Sequence, residues 1–245
     1  MNFADKICII IENTVKNAKT ITQYRKPLVG FASAKDPFFN KMKKIIGTHI
    51  VHPQELLPEA ETVAVFFIPF AENVIRANRK GDLPAKEWVL ALVETNQLIE
   101  TIYEELTKML AADGIKTVSA KVTYNFNEKD FTADWSHKSV AYVAGLGTFG
   151  VNHQLITQAG SAGRLGSMVI SAKIPPTPRP SQEFCRYYRE GKCLFCVNKC
   201  PAGALKVQGL DKKRCYQHLQ QIAKYRDLCD ACGKCASGPC ALGSY

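Results

Sequence analysis

Residues 193–201 read CLFCVNKCP, a C-x2-C-x3-C-P pattern that governs how the C-terminal part of the chain folds. The short C-x2-C spacing lets Cys193 and Cys196 face one metal centre from a single loop. Pro201 turns the chain away, so the Cys200 thiolate can reach a second centre, as the cysteine before proline does in two-cluster ferredoxins. The pattern therefore predicts two interlocked 4Fe-4S clusters in a small ferredoxin-like domain.

Nine of the ten cysteines lie between residues 185 and 240, one more than two such clusters need. The ligands expected for the first cluster are Cys185, Cys193, Cys196 and Cys240. The ligands expected for the second cluster are Cys200, Cys215, Cys232 and Cys235. A stricter ferredoxin pattern would use Cys229 in place of Cys215. Structural zinc is the alternative, but zinc gives no reason for the cysteine–proline pair.

Composition places the chain among globular proteins. It has 245 residues, of which 46% are hydrophobic, and no apolar run approaches the roughly 20 residues of a membrane span. We therefore expect a cytoplasmic protein whose thiols stay reduced. The net charge of +10 suggests an anionic partner, or alternatively a solvated surface. No run of five Lys or Arg residues occurs, so nucleic-acid binding has weak support from the sequence.

A proline-rich stretch, residues 174–180 (IPPTPRP), separates two regions of different composition. Four prolines in seven residues exclude a helix or central strand and favour a stiff spacer. We expect an α/β domain over residues 1–174 and the ferredoxin-like domain over residues 175–245. Hydrophobic patterning predicts, in the first domain, helix 2–19, strand 26–33, strand 62–68, helix 85–112, strand 116–124, helix 136–144, strand 154–157 and strand 166–172.

Residues 135–152 (WSHKSVAYVAGLGTFGVN) resemble the AGLGWIGKN-type segment of epoxyqueuosine reductases. Gly160-Ser161 and residues 165–167 resemble the strand that follows it there, and residues 210–215 resemble the segment with the remote cluster cysteine. That family and the related reductive dehalogenases bind base-off cobalamin in a nitroreductase-like domain beside a two-cluster ferredoxin domain. The resemblance thus implies a nitroreductase-like α+β sandwich that holds cobalamin. Over residues 1–134 the resemblance is limited to the general layout of the chain.

The resemblance also implies where the chemistry would lie. The family carries its acidic residue in a DTGP-type motif, whereas this chain reads KDFTAD at residues 129–134, where Asp130 is nearest by spacing and Asp134 is its rival as proton donor. Glycines let a backbone approach a large planar ligand, although a plain turn uses them too. His137 is alternatively a surface residue at a helix start. The residues expected to contact cobalamin are His137, Gly145, Leu146, Gly147, Gly150, Asn152, His153, Ser161 and Gly166.

Clusters and resemblance together predict a cobalamin-dependent reductase whose substrate the sequence leaves open. Reduced ferredoxin or flavodoxin would deliver electrons through the cluster near Cys200. One alternative is an electron-transfer module that reactivates a partner corrinoid protein, which the basic charge would help to dock. Another is flavin in place of cobalamin, although no flavin-specific motif is visible. Nucleic acid is not expected as a partner, with the exception of tRNA.

Overall fold

The computed structural model describes residues 2–119, 126–224 and 231–243. Helices and strands alternate irregularly through the first two thirds of the chain, and short elements dominate the rest. The elements are α1 (Phe3–Lys16), β1 (Leu28–Ser33), α2 (Pro37–Ile45), α3 (Pro53–Leu56), β2 (Thr62–Pro69), α4 (Glu72–Asn78), α5 (Lys86–Ala112), β3 (Thr117–Ser119), α6 (His137–Val143), β4 (Gly147–Phe149), β5 (Leu155–Thr157), β6 (Gly163–Ile170), α7 (Arg186–Glu190), α8 (Phe195–Asn198), β7 (Leu205–Lys206), β8 (Gly209–Leu210) and α9 (Lys212–Ala223), followed by 3-10 turns at Lys234–Ala236 and Pro239–Ala241.

A four-stranded sheet of order β1-β2-β6-β3 forms the centre of the fold, and each of its neighbouring pairs is antiparallel. All eight residues of β2 are buried, because the strand has a neighbour on each side and packed helices on both faces. Side chains of a strand alternate between faces. Val65 and Phe67 therefore pack towards α6, whereas Phe66 and Ile68 pack towards α1 and α5. The sheet is thus the middle of three layers.

Helix α1 begins at Asn2, whose side chain accepts the backbone N–H of Asp5. Its Ile7 and Ile11 lie four residues apart and are fully buried against the apolar stripe of α5. Helix α6 covers the opposite face of the sheet with Val140 and Ala141. The loop before α6 and the glycine segment after it are therefore held on a rigid support.

The C-terminal part of the chain packs directly on the part that contains α1 to β6, residues 2–119 and 126–170, which we call the front domain. Ala236 and Ala241 join a core cluster with Phe70 and Trp88. The guanidinium of Arg25 donates to the carbonyl oxygens of Ala159, Ala241 and Leu242. The cysteine-rich segment consequently has a fixed position against the sheet domain.

The predicted elements of the first domain are confirmed within a few residues, and the α/β class with them. The patterning missed α2, α3, α4 and β4. Residues 120–124 of the predicted strand 116–124, and Cys229, lie outside the described residues. Instead of spanning free space, residues 174–180 run along β1, where Thr177 exchanges hydrogen bonds with Phe31. Among the described residues, no helix has both the length and the apolar character to cross a membrane.

Candidate functional site

Five cysteines line one pocket. Its walls include Val151 and Ile156 of the front domain. Burial raises the pKa of Cys196 to about 11, and the surrounding thiols add to that rise through like-charge repulsion. Ser161 Oγ lies 3.7 Å from one sulfur, that of Cys240. Four of the five belong to the ligand set expected for the first cluster, namely Cys185, Cys193, Cys196 and Cys240, and the fifth is Cys235.

A second group of thiols lies beside the first. Burial raises the pKa of Cys235 to about 12, with further rises from thiols of its own group and from Cys196 of the first group. Cys235 also lines the pocket of the first group, so the two groups are neighbours. The second group consists of Cys200, Cys215, Cys232 and Cys235.

All the described cysteines are free thiols. Within residues 2–119, 126–224 and 231–243, no three His, Cys, Asp or Glu side chains converge closely enough to hold a single metal ion. In a cubane each thiolate binds its own iron, so the sulfurs need a wider ring than four ligands of one zinc ion. The two neighbouring groups each supply four thiols, which is the number that one cubane needs.

The front domain fixes the backbone of both thiol groups. Asn152 is buried, and its Nδ2 donates to the carbonyl oxygen of Cys235 at 3.0 Å. The backbone N–H of Ser161 donates to the carbonyl oxygen of Cys240 at 3.0 Å. Two residues expected to contact cobalamin therefore position cysteine loops in this structure. Their contact with an organic cofactor stays a prediction.

Two lysines that the sequence patterns did not single out lie beside the second thiol group, Lys234 buried and Lys138 half-buried. Lys234 is 0% exposed, and its Nζ donates to the carbonyl oxygens of Asn78 and Lys80 at the end of α4. Lys138 of α6 donates to the carbonyl oxygen of His153 at 3.0 Å. Burial lowers the pKa of Lys138, while the nearby thiols of Cys235 and Cys215 act in the opposite direction. Both lysines place positive charge close to cysteine sulfur.

The glycine segment packs against protein at its tightest points. A Cβ at Gly145, whose φ is +74°, would lie 2.6 Å from the carbonyl oxygen of Pro178. One at Gly147 would lie 2.0 Å from the carbonyl oxygen of Ile156 across the β4–β5 pair. Gly150 and Gly166 are crowded by the Ile156 side chain and the Phe66 ring respectively, and Leu146 is buried in the core. Close packing against neighbouring protein atoms is thus a sufficient reason for glycine at these positions.

His137 lies in a buried polar cluster between α6 and β6. Ser136 caps the helix, and the imidazole Nδ1 lies 2.8 Å from Ser167 Oγ. Burial, followed by the charge of Arg164, lowers the pKa of His137 to about 4. His137 is the first residue of α6, as the alternative expects, but its imidazole lies in this cluster and its Nε2 is buried. Its Nε2 is buried without a hydrogen-bond partner among the described residues.

The two candidate proton donors lie in the loop before α6. Asp130 is exposed, and its carboxylate accepts from Asn127 Nδ2 at 3.2 Å. Asp134 is partly buried, and its carbonyl oxygen accepts the N–H of Val51. His153, with φ of +56°, lies in the turn next to Lys138. Of the two carboxylates, Asp134 lies closer along the chain to the buried cluster around His137.

Solved structures of two kinds of reductase have a similar architecture. The chain superposes on a selenomethionine-labelled epoxyqueuosine reductase with a TM-score of 0.61 and 19% identity, covering 98% of this chain and 66% of that one. It superposes on an N-terminally tagged catabolic reductive dehalogenase with a TM-score of 0.55 and 14% identity, covering 78% of this chain and 27% of that one. At these identities the similarity shows the fold.

Sequence comparison points to the first of those two groups. The chain is 35% identical over 236 residues to the epoxyqueuosine reductase of Bacillus cereus (strain ATCC 14579), which covers 83% of this chain and 58% of that protein. It is 30% identical over 170 residues to that of Escherichia coli (strain K12), covering 68% and 42%. No family model matches. The resemblance to epoxyqueuosine reductases is thus confirmed, and the chain spans about half the length of these relatives.

Proposed function

We propose that this chain is a reductase that carries electrons through two 4Fe-4S clusters to an acceptor held by the α/β domain. The observation that supports this most is the pair of neighbouring groups of four thiols, buried or half-buried, five of which line one pocket. Such clusters supply one-electron transfer when bound. The ligands we propose are Cys185, Cys193, Cys196 and Cys240 for one cluster, and Cys200, Cys215, Cys232 and Cys235 for the other.

The protein's own contribution is to hold these loops and to surround them with a low dielectric. Asn152 and Ser161 fix the carbonyl groups of Cys235 and Cys240 by hydrogen bonds. Lys138 and Lys234 add positive charge at the second group. Positive charge near a cluster favours its reduced form, because the reduced cluster carries one more negative charge. We therefore expect the second cluster to have the higher potential.

We propose cobalamin as the acceptor, as the fold shared with the relatives suggests. The residues present fit a large polar ligand at one point, since His137 Nε2, beside Ser167 and Arg164, is a buried nitrogen that has no partner among the residues the structure describes. When bound, cobalamin would supply a cobalt that accepts and donates electrons. Asp134 would supply a proton from the loop before α6, with Asp130 as the more exposed alternative. Gly145, Gly147 and Gly150 would shape the turn nearby.

We propose epoxyqueuosine in tRNA as the substrate. The relatives are named for it, and one solved epoxyqueuosine reductase, 20% identical, contains an epoxyqueuosine-modified tRNA stem loop. The net charge of +10 suits a polyanion. Reduction of an epoxide consumes two electrons and two protons, so one-electron clusters must turn over twice for each substrate. Reduced ferredoxin or flavodoxin would supply both electrons.

The comparisons lend no support to the alternative of a module that serves a partner corrinoid protein, because the relatives bear the names of reductases. Anaerobic reconstitution tests the proposed function directly. We expect a brown protein with about eight iron and eight sulfide atoms per chain, bound cobalamin, and consumption of an epoxyqueuosine stem loop when a chemical reductant is present. A colourless protein that holds zinc would refute the clusters. Full clusters and cobalamin without turnover would refute the substrate.

A further inference from the structure

Ser167, in the middle of β6, organises a buried hydrogen-bond cluster that no cysteine enters. The side chain is 0% exposed. Its Oγ accepts the indole N–H of Trp135 at 2.9 Å, and its backbone N–H donates to the hydroxyl oxygen of Tyr103 at 3.0 Å. The same Oγ lies 2.8 Å from His137 Nδ1. Ser167 is therefore the common partner of three side chains from three different elements.

The bonds of this cluster determine which nitrogen of His137 carries the proton. An indole can only donate, so Trp135 uses one of the two acceptor positions of Ser167 Oγ. The serine hydroxyl has one proton of its own to donate, and Nδ1 is the acceptor within reach. A neutral imidazole whose Nδ1 accepts carries its proton on Nε2. Trp135 Nε1, Ser167 Oγ and His137 Nδ1 then all have partners, whereas the buried Nε2–H has none within the described part of the chain.

A buried donor without a partner is destabilising, by about the desolvation cost of the group. Such groups persist where a ligand completes them. Arg164 is also close, and its guanidinium donates twice to Asn96 Oδ1, at 2.8 and 3.1 Å. The surroundings of Nε2 therefore contain donors and positive charge, which favour an oxygen acceptor on the ligand.

We propose that His137, as a neutral imidazole fixed by Ser167, donates its Nε2–H to an oxygen atom of the bound ligand. This rests on the proposed function, in which that oxygen is an amide carbonyl of cobalamin. His137 is then a binding residue that orients the cofactor. Burial keeps the ring neutral at physiological pH, consistent with its lowered pKa. A substrate oxygen is the other source of the same chemistry, and the experiment separates the two.

The first measurement needs no ligand. Protein labelled with ¹⁵N-histidine should show, among its five histidines, one neutral ring with a protonated Nε2 and a bare Nδ1 that is missing in His137→Gln protein. In Ser167→Ala protein the His137 ring should lose its preference for the tautomer with the proton on Nε2. A ring of His137 that carries its proton on Nδ1, or is charged at pH 7, overturns the proposal.

The second measurement is the affinity for hydroxocobalamin, and separately for the epoxyqueuosine stem loop. His137→Gln places an amide N–H near the position that Nε2 occupies in the wild type, and its affinity should stay within about twofold of wild type. His137→Phe cannot donate there, and its affinity should fall about tenfold, the equivalent of one hydrogen bond. A loss only with hydroxocobalamin identifies the cofactor, and a loss only with the stem loop identifies the substrate. Equal binding of both ligands by all three proteins overturns the proposal while leaving the proposed function intact. If wild type binds neither ligand, the proposed function fails, and the proposal with it.

Discussion

Replacement of Lys234 by methionine should loosen the junction between the front domain and the second thiol group. Lys234 lies between Cys232 and Cys235 and is fully buried. Its ammonium donates to the carbonyl oxygens of Asn78 at 2.8 Å and Lys80 at 2.7 Å, where α4 ends and its carbonyl groups lack helical partners. Methionine keeps the length and the apolar stem but cannot donate.

The magnitude follows from the two carbonyl groups that Lys234→Met leaves unpaired. A buried carbonyl without a partner costs about 1–3 kcal/mol. The Asn78 carbonyl is buried, the Lys80 carbonyl is only partly buried, and removal of the buried charge offsets part of the cost. We therefore expect the free energy of unfolding to fall by about 2 kcal/mol. The retained methylene packing makes a larger loss unexpected. A fall of that size would remove a substantial share of a typical domain's stability.

The assay is anaerobic urea unfolding, followed by cluster absorbance and by tryptophan fluorescence. Fluorescence reports this junction because a Cβ at Gly233 would lie 2.1 Å from the ring of Trp88, so the two residues are in close contact. Lys206→Met is the matched control, since Lys206 is exposed on β7 and should change stability by less than about 0.5 kcal/mol. If Lys234→Met unfolds at the same urea concentration as wild type, the two hydrogen bonds contribute nothing and the reasoning is refuted.

Three further predictions follow from the site. Lys138→Met should lower the reduction potential of the second cluster only, because it removes a positive charge beside Cys235. A spectroscopic redox titration measures this, and Lys138→Arg should keep the potential. Equal shifts in both clusters would contradict the placement of Lys138 beside the second thiol group. Between pH 7.5 and 5.5 the wild type should lose about 1 kcal/mol more stability than His137→Gln, because unfolded histidine takes up a proton near pH 6.5 and buried His137 only near pH 4. Parallel pH curves for the two proteins would rule this out. Cys215→Ser should abolish one cluster by iron analysis, whereas Cys229→Ser should leave both; the reverse result would favour the stricter ferredoxin pattern.

Much of the sheet domain follows from local patterns in the sequence. The run of residues 62–68 has no polar side chain after Thr62, and such a run is typical of a strand covered on both faces, as β2 is. The spacing of Ile7 and Ile11 likewise predicts the buried stripe of α1. Short helices such as α2 and α3 contain too few turns for a periodic signal, so the patterning missed them.

The candidate site was predictable to the extent that its chemistry is local. The C-x2-C spacing identifies Cys193 and Cys196 as partners without any knowledge of the fold. The burial of Lys234 was not predictable, because its hydrogen-bond acceptors are more than 150 residues away on α4. The glycines illustrate the same limit: the sequence indicates that Gly147 needs a close approach, but the fold determines that Ile156 supplies it.

The segment that carries Cys240, the last thiol of the first group, is held closely against the front domain. Ser161 donates to the carbonyl oxygen of Cys240, and a Cβ at Gly160 would lie 2.0 Å from the carbonyl oxygen of Ala241. Arg25 donates to the next two carbonyl groups along the chain. A segment held this closely cannot move away without losing Cys240 from its thiol group. Electron transfer rates fall steeply with distance, so a fixed junction suits delivery to an acceptor inside the same chain better than delivery to a partner that docks and leaves.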